Sequence, residues 1–264
     1  MYMKKKGKAI FVVLILLLLF SAVRFNLFNR GINYFRFRVN EIIRGHKDAK
    51  QILAEAGEYD GEIAVVINDN HPFFHTEDLS TVYSSDGRIT SYESYSKLDL
   101  LGRCQAATAL IGKDLMPTDD REPILSVKPS GWYVLILPEE ETEEGYIYLY
   151  NRCHLIAFCL TGENDNERNL ITGCRAMNLA MKDYEVKVAS YIERTGNHVL
   201  YRVTPLFEGM DALCTGVLME AYSIEDQGNG ICFCVFLHNV QPLLHGSVTI
   251  DYTDGSAVYN KGNK

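Results

Sequence analysis

Short β-branched and aromatic runs alternate with polar turns along most of the chain, and one long stretch has helical spacing. Strands are predicted at 62–68, 133–137, 146–150, 199–203, 217–222 and 231–237, which are rich in Val, Ile, Leu, Tyr and Phe, and also over the alanine-rich run 106–110. A helix is predicted over 178–192, where apolar residues recur at helical intervals: Met181, Tyr184, Val188, Tyr191 and Ile192. Several strands with one long helix indicate an α+β body.

The N-terminus has a different pattern. Lysines at residues 4–8 precede an apolar run over 9–23, which Arg24 closes. This layout fits either a secretory signal peptide or a signal anchor. Because no small-residue cleavage site follows the run, we favour an uncleaved transmembrane anchor with the C-terminal body outside the cell. A cleaved signal would instead give a secreted protein.

Three segments are therefore predicted. Residues 1–30 form a basic cytoplasmic tip and a transmembrane helix, and 31–59 form a juxtamembrane helix or stalk. The helical pattern within this second segment ends before Gly57. A shift in composition at 59–61 places the start of the main domain at residue 60, and this domain is predicted to span 60–264.

Charge is distributed unevenly over the 264 residues. Residues 1–50 contain 11 Lys and Arg against 2 Asp and Glu, and the rest contains 15 against 32. An acidic body argues against a protein that coats nucleic acid by neutralising phosphates. It still permits an enzyme in which a few arginines and a metal ion hold one phosphate.

The seven cysteines include no C-x-x-C pair, and their odd number leaves at least one thiol unpaired within the chain. Most are expected to be small buried residues. One alternative stays open, in which Cys153, Cys159 and Cys174 come together in a zinc- or disulfide-stabilised surface domain.

Candidate chemistry is concentrated between residues 150 and 185. His154 ends a strand-like run and can act as a base of near-neutral pKa, while Asn178 can offer an amide oxygen to Mg²⁺. Glu185, about two turns further along the predicted helix, can accept hydrogen bonds from metal-bound water. Arg152 and Arg175 can supply positive charge near a phosphate. These are the groups that metal-assisted phosphodiester hydrolysis requires.

The same residues resemble the DNA/RNA non-specific endonuclease family, the ββα-metal nucleases, and in particular its Gram-positive DNA-entry nucleases. The first family motif, D-R-G-H, is similar to Asn151-Arg152-Cys153-His154 here, and the second, N-I-T-P, is similar to 169–173. Asn178 follows Asn169 by nine residues, as the family pattern requires.

This resemblance implies a ββα-metal (His-Me finger) fold with a central antiparallel sheet. It implies His154 as general base, Asn178 as direct metal ligand, Glu185 as a water-mediated metal contact, and Asn169 as a residue that orients the site. Arg103 is a candidate phosphate contact, in addition to Arg175. Mg²⁺ or Mn²⁺ is the implied cofactor, and DNA is the implied substrate, with RNA as a second substrate class.

Two departures from the family pattern, together with the acidic body, favour a rival hypothesis. Asn151 replaces an aspartate, and Cys153 replaces a glycine, which would strain the backbone if that position required a positive φ. The rival is a catalytically inactive, membrane-anchored binding protein built on a degenerate nuclease fold.

Overall fold

The computed structural model describes residues 47–74, 89–138 and 144–261, and all structural statements concern these residues. The predicted anchor over 1–30 lies outside them. No helix in the described ranges is both long and apolar enough to cross a membrane.

Three α-helices, one short 3-10 helix (Asn68–Asn70) and twelve strands form the described part of the chain. The helices are α1 (Ala49–Ala56), α2 (Phe158–Thr161) and α3 (Arg175–Thr195). The strands are β1 (Ala64–Val66), β2 (Tyr92–Tyr95), β3 (Ala107–Ile111), β4 (Ile136–Pro138), β5 (Tyr146–Tyr148), β6 (Tyr150–His154), β7 (Leu170–Cys174), β8 (Val199–Leu206), β9 (Gly216–Ser223), β10 (Cys232–His238), β11 (Ser247–Ile250) and β12 (Ala257–Asn260).

Six strands form the central sheet, in the order β1-β10-β9-β8-β3-β2, and every neighbouring pair is antiparallel. The prediction of an α+β fold with a central antiparallel sheet is therefore confirmed. Strands β4 with β5, β6 with β7, and β11 with β12 form three separate two-stranded ribbons.

The main core lies between α3 and the central sheet. Helix α3 buries a stripe with the spacing of one helical face: Met177, Met181, Glu185, Val188, Tyr191 and Ile192. Tyr201 and Val203 of β8 belong to the same core. The helix ends where Gly196 takes a left-handed conformation (φ 71°) and donates its N–H to the Ile192 carbonyl.

Helix α1 packs into a second core with residues of β8, β9 and β10. Asp48 caps its first turn in a capping box with Gln51, and Ile52 and Ala56 are buried. The predicted helix end before Gly57 is therefore observed. Lys47–Phe74 belongs to the same compact unit as the body, so the boundary predicted at residue 60 falls inside a packed region.

Strand β2 was not predicted, because the polar sequence before residue 97 indicated an irregular segment. The strand lies at the edge of the sheet and buries no residue fully, so its sequence has no apolar run. The predicted strand over 146–150 is two strands, interrupted at Leu149. The N–H of Leu149 donates to the Leu135 carbonyl, and its own carbonyl accepts from the Arg175 N–H.

Candidate functional site

A ββα unit carries the candidate residues. Strands β6 and β7 pair in antiparallel register, with Asn151 opposite Gly173 and His154 opposite Leu170, and α3 begins directly after β7. The unit places His154 at the end of its first strand. It places Arg175 and Asn178 in the first turn of the helix, three residues apart and therefore on one face.

Asn169 holds the chain that leaves β6. Its side chain is fully buried, where its Oδ1 accepts from the Ile156 N–H and its Nδ2 donates to the Ile156 carbonyl, both at 2.9 Å. Its backbone carbonyl also accepts from the Leu155 N–H at 2.8 Å. These three bonds fix the two residues that follow His154.

The environment of His154 determines which ring nitrogen can act as a base. Its Nε2 lies 2.6 Å from the Asn164 carbonyl oxygen. A carbonyl oxygen only accepts hydrogen bonds, so Nε2 carries the proton of the neutral ring. Nδ1 keeps its lone pair and lies 3.3 Å from a guanidinium nitrogen of Arg121. His154 therefore presents an acceptor nitrogen beside a positive charge.

Burial lowers the pKa of His154 below its ordinary value of 6.5. The hydrogen bond to the Asn164 carbonyl raises the pKa, and the charge of Arg121 lowers it further. The net effect favours the neutral ring near pH 7, which is the form that can accept a proton.

Glu185 lies in the apolar stripe of α3, seven residues after Asn178. It is 8% exposed, and burial raises the pKa of its carboxyl group to about 8, although Arg121 and Lys182 oppose this shift. Arg121 thus interacts with both His154 and Glu185. Arg121 and Asn164 lie in loops, outside any motif or periodic pattern of residues, so the sequence did not predict a role for either.

The oxygen groups on this helix suit a hard divalent cation. Asn178 offers a half-buried amide oxygen in the first turn of α3, and Glu185 offers a buried carboxyl group two turns further along the same helix. Amide and carboxyl oxygens are ligands that hard divalent cations accept in proteins. No group of three or more His, Cys, Asp or Glu that could hold a metal occurs in the described ranges.

Two predicted arginines make their contacts elsewhere. The guanidinium group of Arg152 donates to the carbonyls of Val127 and Leu125 and lies 4.0 Å from the Trp132 ring centroid. These contacts anchor the loop before β4 rather than facing His154. The catalytic role predicted for Arg152 has no support in its contacts.

Arg103 binds Asp99 through its Nε at 2.7 Å and donates to the carbonyls of Gly209 and Asp211. These contacts use the Nε and Nη1 groups of Arg103, and its role as a phosphate contact stays a prediction. The guanidinium group of Arg175 has no hydrogen bond or ion pair with the described residues, which leaves it available to a ligand.

Cys153 is accommodated without backbone strain. It lies in regular β6 and is absent from the non-glycine residues of positive φ in the described chain. Its side chain is fully buried and faces Gly173, where an added Cβ would lie 2.5 Å from the Cys153 sulfur. The condition under which strain was expected, a positive φ at this position, is therefore not met. Gly173, a diagonal neighbour of Cys153 on the paired strand, leaves space for the sulfur.

All seven cysteines are free thiols, and Cys153 and Cys174 are buried whereas Cys159 is exposed. The alternative of a zinc- or disulfide-stabilised domain built on these three thus has no support in the described structure.

A strand pair followed by a helix, with a buried histidine on the first strand and an asparagine in the first helical turn, defines a protein of the ββα nuclease class. Residues 79–225 match the model of the family described as DNA/RNA non-specific endonuclease. The match spans more than half of the chain, so the chain belongs to this family.

Two solved structures share the fold. NucA from Streptococcus agalactiae, with magnesium ion bound, is 23% identical with a TM-score of 0.58, over 74% of this chain and 86% of that one. Sda1 nuclease, with bound zinc ion, is 24% identical with a TM-score of 0.56, over 74% of this chain and 96% of that one. At these identities the likeness establishes the fold. No curated protein sequence matches the chain.

Proposed function

We propose that this protein is a divalent-metal-dependent endonuclease that hydrolyses DNA, and RNA as a second substrate, without sequence preference. Membership of the endonuclease family supports a hydrolase that acts on nucleic acids. The observation that carries the finer proposal is the His154 ring, with Nε2 held by a carbonyl and Nδ1 left as an acceptor.

In this proposal, the Nδ1 atom of His154 removes a proton from the water that attacks phosphorus. The N–H of Nε2 stays bound to the Asn164 carbonyl, so the ring keeps its orientation as it becomes charged. Arg121 and Arg175 bind phosphoryl oxygens, because both are cations close to the site residues. Arg121 must then leave Nδ1 as the water approaches.

Asn178 would hold the metal ion through its side-chain oxygen, and Glu185 would accept hydrogen bonds from the ion's water ligands. The bound ion supplies charge stabilisation for the phosphoryl and leaving oxygens. Mg²⁺ and Mn²⁺ both prefer oxygen ligands, so we propose either as the cofactor. NucA was crystallised with magnesium and Sda1 with zinc, so Zn²⁺ belongs in the same tests.

The test is nicking of supercoiled plasmid by the full chain, with Mg²⁺ and with EDTA. We expect His154→Ala to lower the rate by about 10²–10⁴-fold, the usual contribution of a general base. His198→Ala is the matched control, because His198 pairs with Glu225 and lies outside the ββα unit. Full activity in EDTA, or in His154→Ala, would refute the mechanism.

The proposed phosphate contact at Arg121 has its own test. Arg121→Ala should lower kcat/KM by about 10–10³-fold, since one stabilising cation is lost. Arg194→Ala is the control, because Arg194 lies in the last turn of α3 and stacks on Tyr191. Equal rates for both variants would remove Arg121 from the mechanism.

The inactive binding protein is not favoured. Family membership points to an enzyme, and the regular backbone at Cys153 removes one ground for the rival hypothesis. Asn151 and the acidic body remain as its grounds, and the nicking assay decides between the two hypotheses.

We also propose that residues 1–30 anchor the protein in the cell membrane with the nuclease domain outside, on the basis of the basic and apolar pattern there. Membrane fractionation with protease accessibility tests this. Recovery of the intact chain in the medium would indicate a cleaved signal, and recovery in the cytosol would refute both.

A further inference from the structure

The first turn of α3 is held by residues from beyond the family match. Cys174 is the N-cap residue and makes no side-chain cap. Its N–H instead donates to the Oδ1 of Asn239 at 2.7 Å, and the N–H of Ala176 donates to the Oε1 of Gln241 at 3.0 Å. Both acceptors follow β10, whereas the family match ends at residue 225.

Asn239 joins three parts of the chain at this point. It is fully buried, and its Nδ2 donates to the Thr172 carbonyl at 3.2 Å and to the Cys214 carbonyl at 3.0 Å. Its own carbonyl accepts from the Tyr252 hydroxyl at 2.7 Å. The end of β7 is thereby tied to the segment before β9 and to the chain between β11 and β12.

Gln241 performs the task that an N-cap side chain normally performs. The first amides of a helix have no partner within the helix, and a side-chain oxygen usually satisfies one of them. The thiol of Cys174 contacts the Asn239 carbonyl and is not a capping acceptor. Gln241 is half-buried, and its Nε2 donates to the Pro242 carbonyl at 3.1 Å, which orients the oxygen toward Ala176.

This helical turn carries Arg175, which directly precedes Ala176, and Asn178, which lies two residues after it. A shift of the turn would move the amide oxygen of Asn178 with it. We propose that Gln241 is a positioning residue for Asn178, acting through the Ala176 N–H from a segment outside the family match. The inference rests on the proposed role of Asn178 as the metal ligand.

The experiment measures the Kd for Mn²⁺ by electron paramagnetic resonance on the full chain, together with kcat. Gln241→Leu removes the acceptor, and Gln241→Asn keeps the amide but withdraws its oxygen. Both should weaken Mn²⁺ binding by about 10–100-fold, the usual effect of losing a residue that orients a ligand. Gln241→Glu keeps the oxygen and should restore affinity.

A purely structural role predicts a lower Tm with an unchanged Kd below the transition. That result, in either folded variant, would overturn the inference. Asn178→Ala, measured in parallel, separates the two proposals. If Asn178→Ala binds Mn²⁺ normally, the proposed role of Asn178 as the metal ligand is refuted. If Asn178→Ala loses binding while the Gln241 variants keep it, only the positioning role fails.

Discussion

The contact between Cys153 and Gly173 supports a quantitative prediction about the strand that carries His154. In Gly173→Ala, the new Cβ would lie 2.5 Å from the Cys153 sulfur and 2.6 Å from the Met177 methyl carbon. Both distances are shorter than side-chain carbons tolerate. The Met177 methyl can move because its side chain is flexible, but Cys153 is fully buried in β6.

We therefore expect Gly173→Ala to lower the free energy of unfolding by about 1–3 kcal/mol, the range for an overpacked core. Cys153→Ala removes the sulfur alone and should cost about 0.5–1.5 kcal/mol, as for other single buried heavy atoms. Its Cβ lies 3.4 Å from the position of the added carbon, which is an ordinary contact. The double variant should therefore be close in stability to Cys153→Ala.

Urea denaturation of the wild type, both single variants and the double variant gives the coupling energy. Additive effects, within about 0.3–0.5 kcal/mol, would refute the compensation between Cys153 and Gly173. Plasmid nicking by Cys153→Ala completes the test, because a thiol that only fills space should be dispensable for catalysis. A large loss of kcat in this folded variant would give Cys153 a role that its geometry does not explain.

Three further predictions concern other residues. The acid limb of kcat/KM should have a midpoint below pH 6.5, because burial lowers the pKa of His154 and the neutral base persists to lower pH; a midpoint above 6.5 would contradict this. Arg202 donates two hydrogen bonds, of 2.7 and 3.0 Å, to the buried carboxylate of Glu220. Glu220→Ala removes this carboxylate and should lower the free energy of unfolding, measured in urea, by about 3–5 kcal/mol. A loss below about 1 kcal/mol would count against that pairing. Asn169→Ala should lower both Tm and kcat, because each backbone group of Ile156 left unpaired costs about 1–3 kcal/mol; an unchanged Tm would show that these bonds are dispensable.

Local pattern was sufficient for the regular elements of the main core. Strands β8, β9 and β10 have strongly apolar sequences, and the apolar residues at helical intervals in α3 predicted its buried stripe. The local pattern did not predict β2, because an edge strand needs no apolar face. It also did not predict that the chain before residue 60 packs with the body, because the packing of Ile52 and Ala56 depends on distant strands.

Sequence alone determined the family and the choice of His154 and Asn178 as candidate site residues, since motif residues and their nine-residue interval are properties of the linear chain. Tertiary structure decided which groups surround them. Arg121 and Asn164 meet the two nitrogens of His154 from loops that carry no pattern, whereas Arg152, inside the motif, is engaged with a neighbouring loop. A motif specifies residue types at a spacing. The direction of a side chain and the residue opposite it depend on contacts between segments far apart in sequence, and only the folded chain contains those contacts.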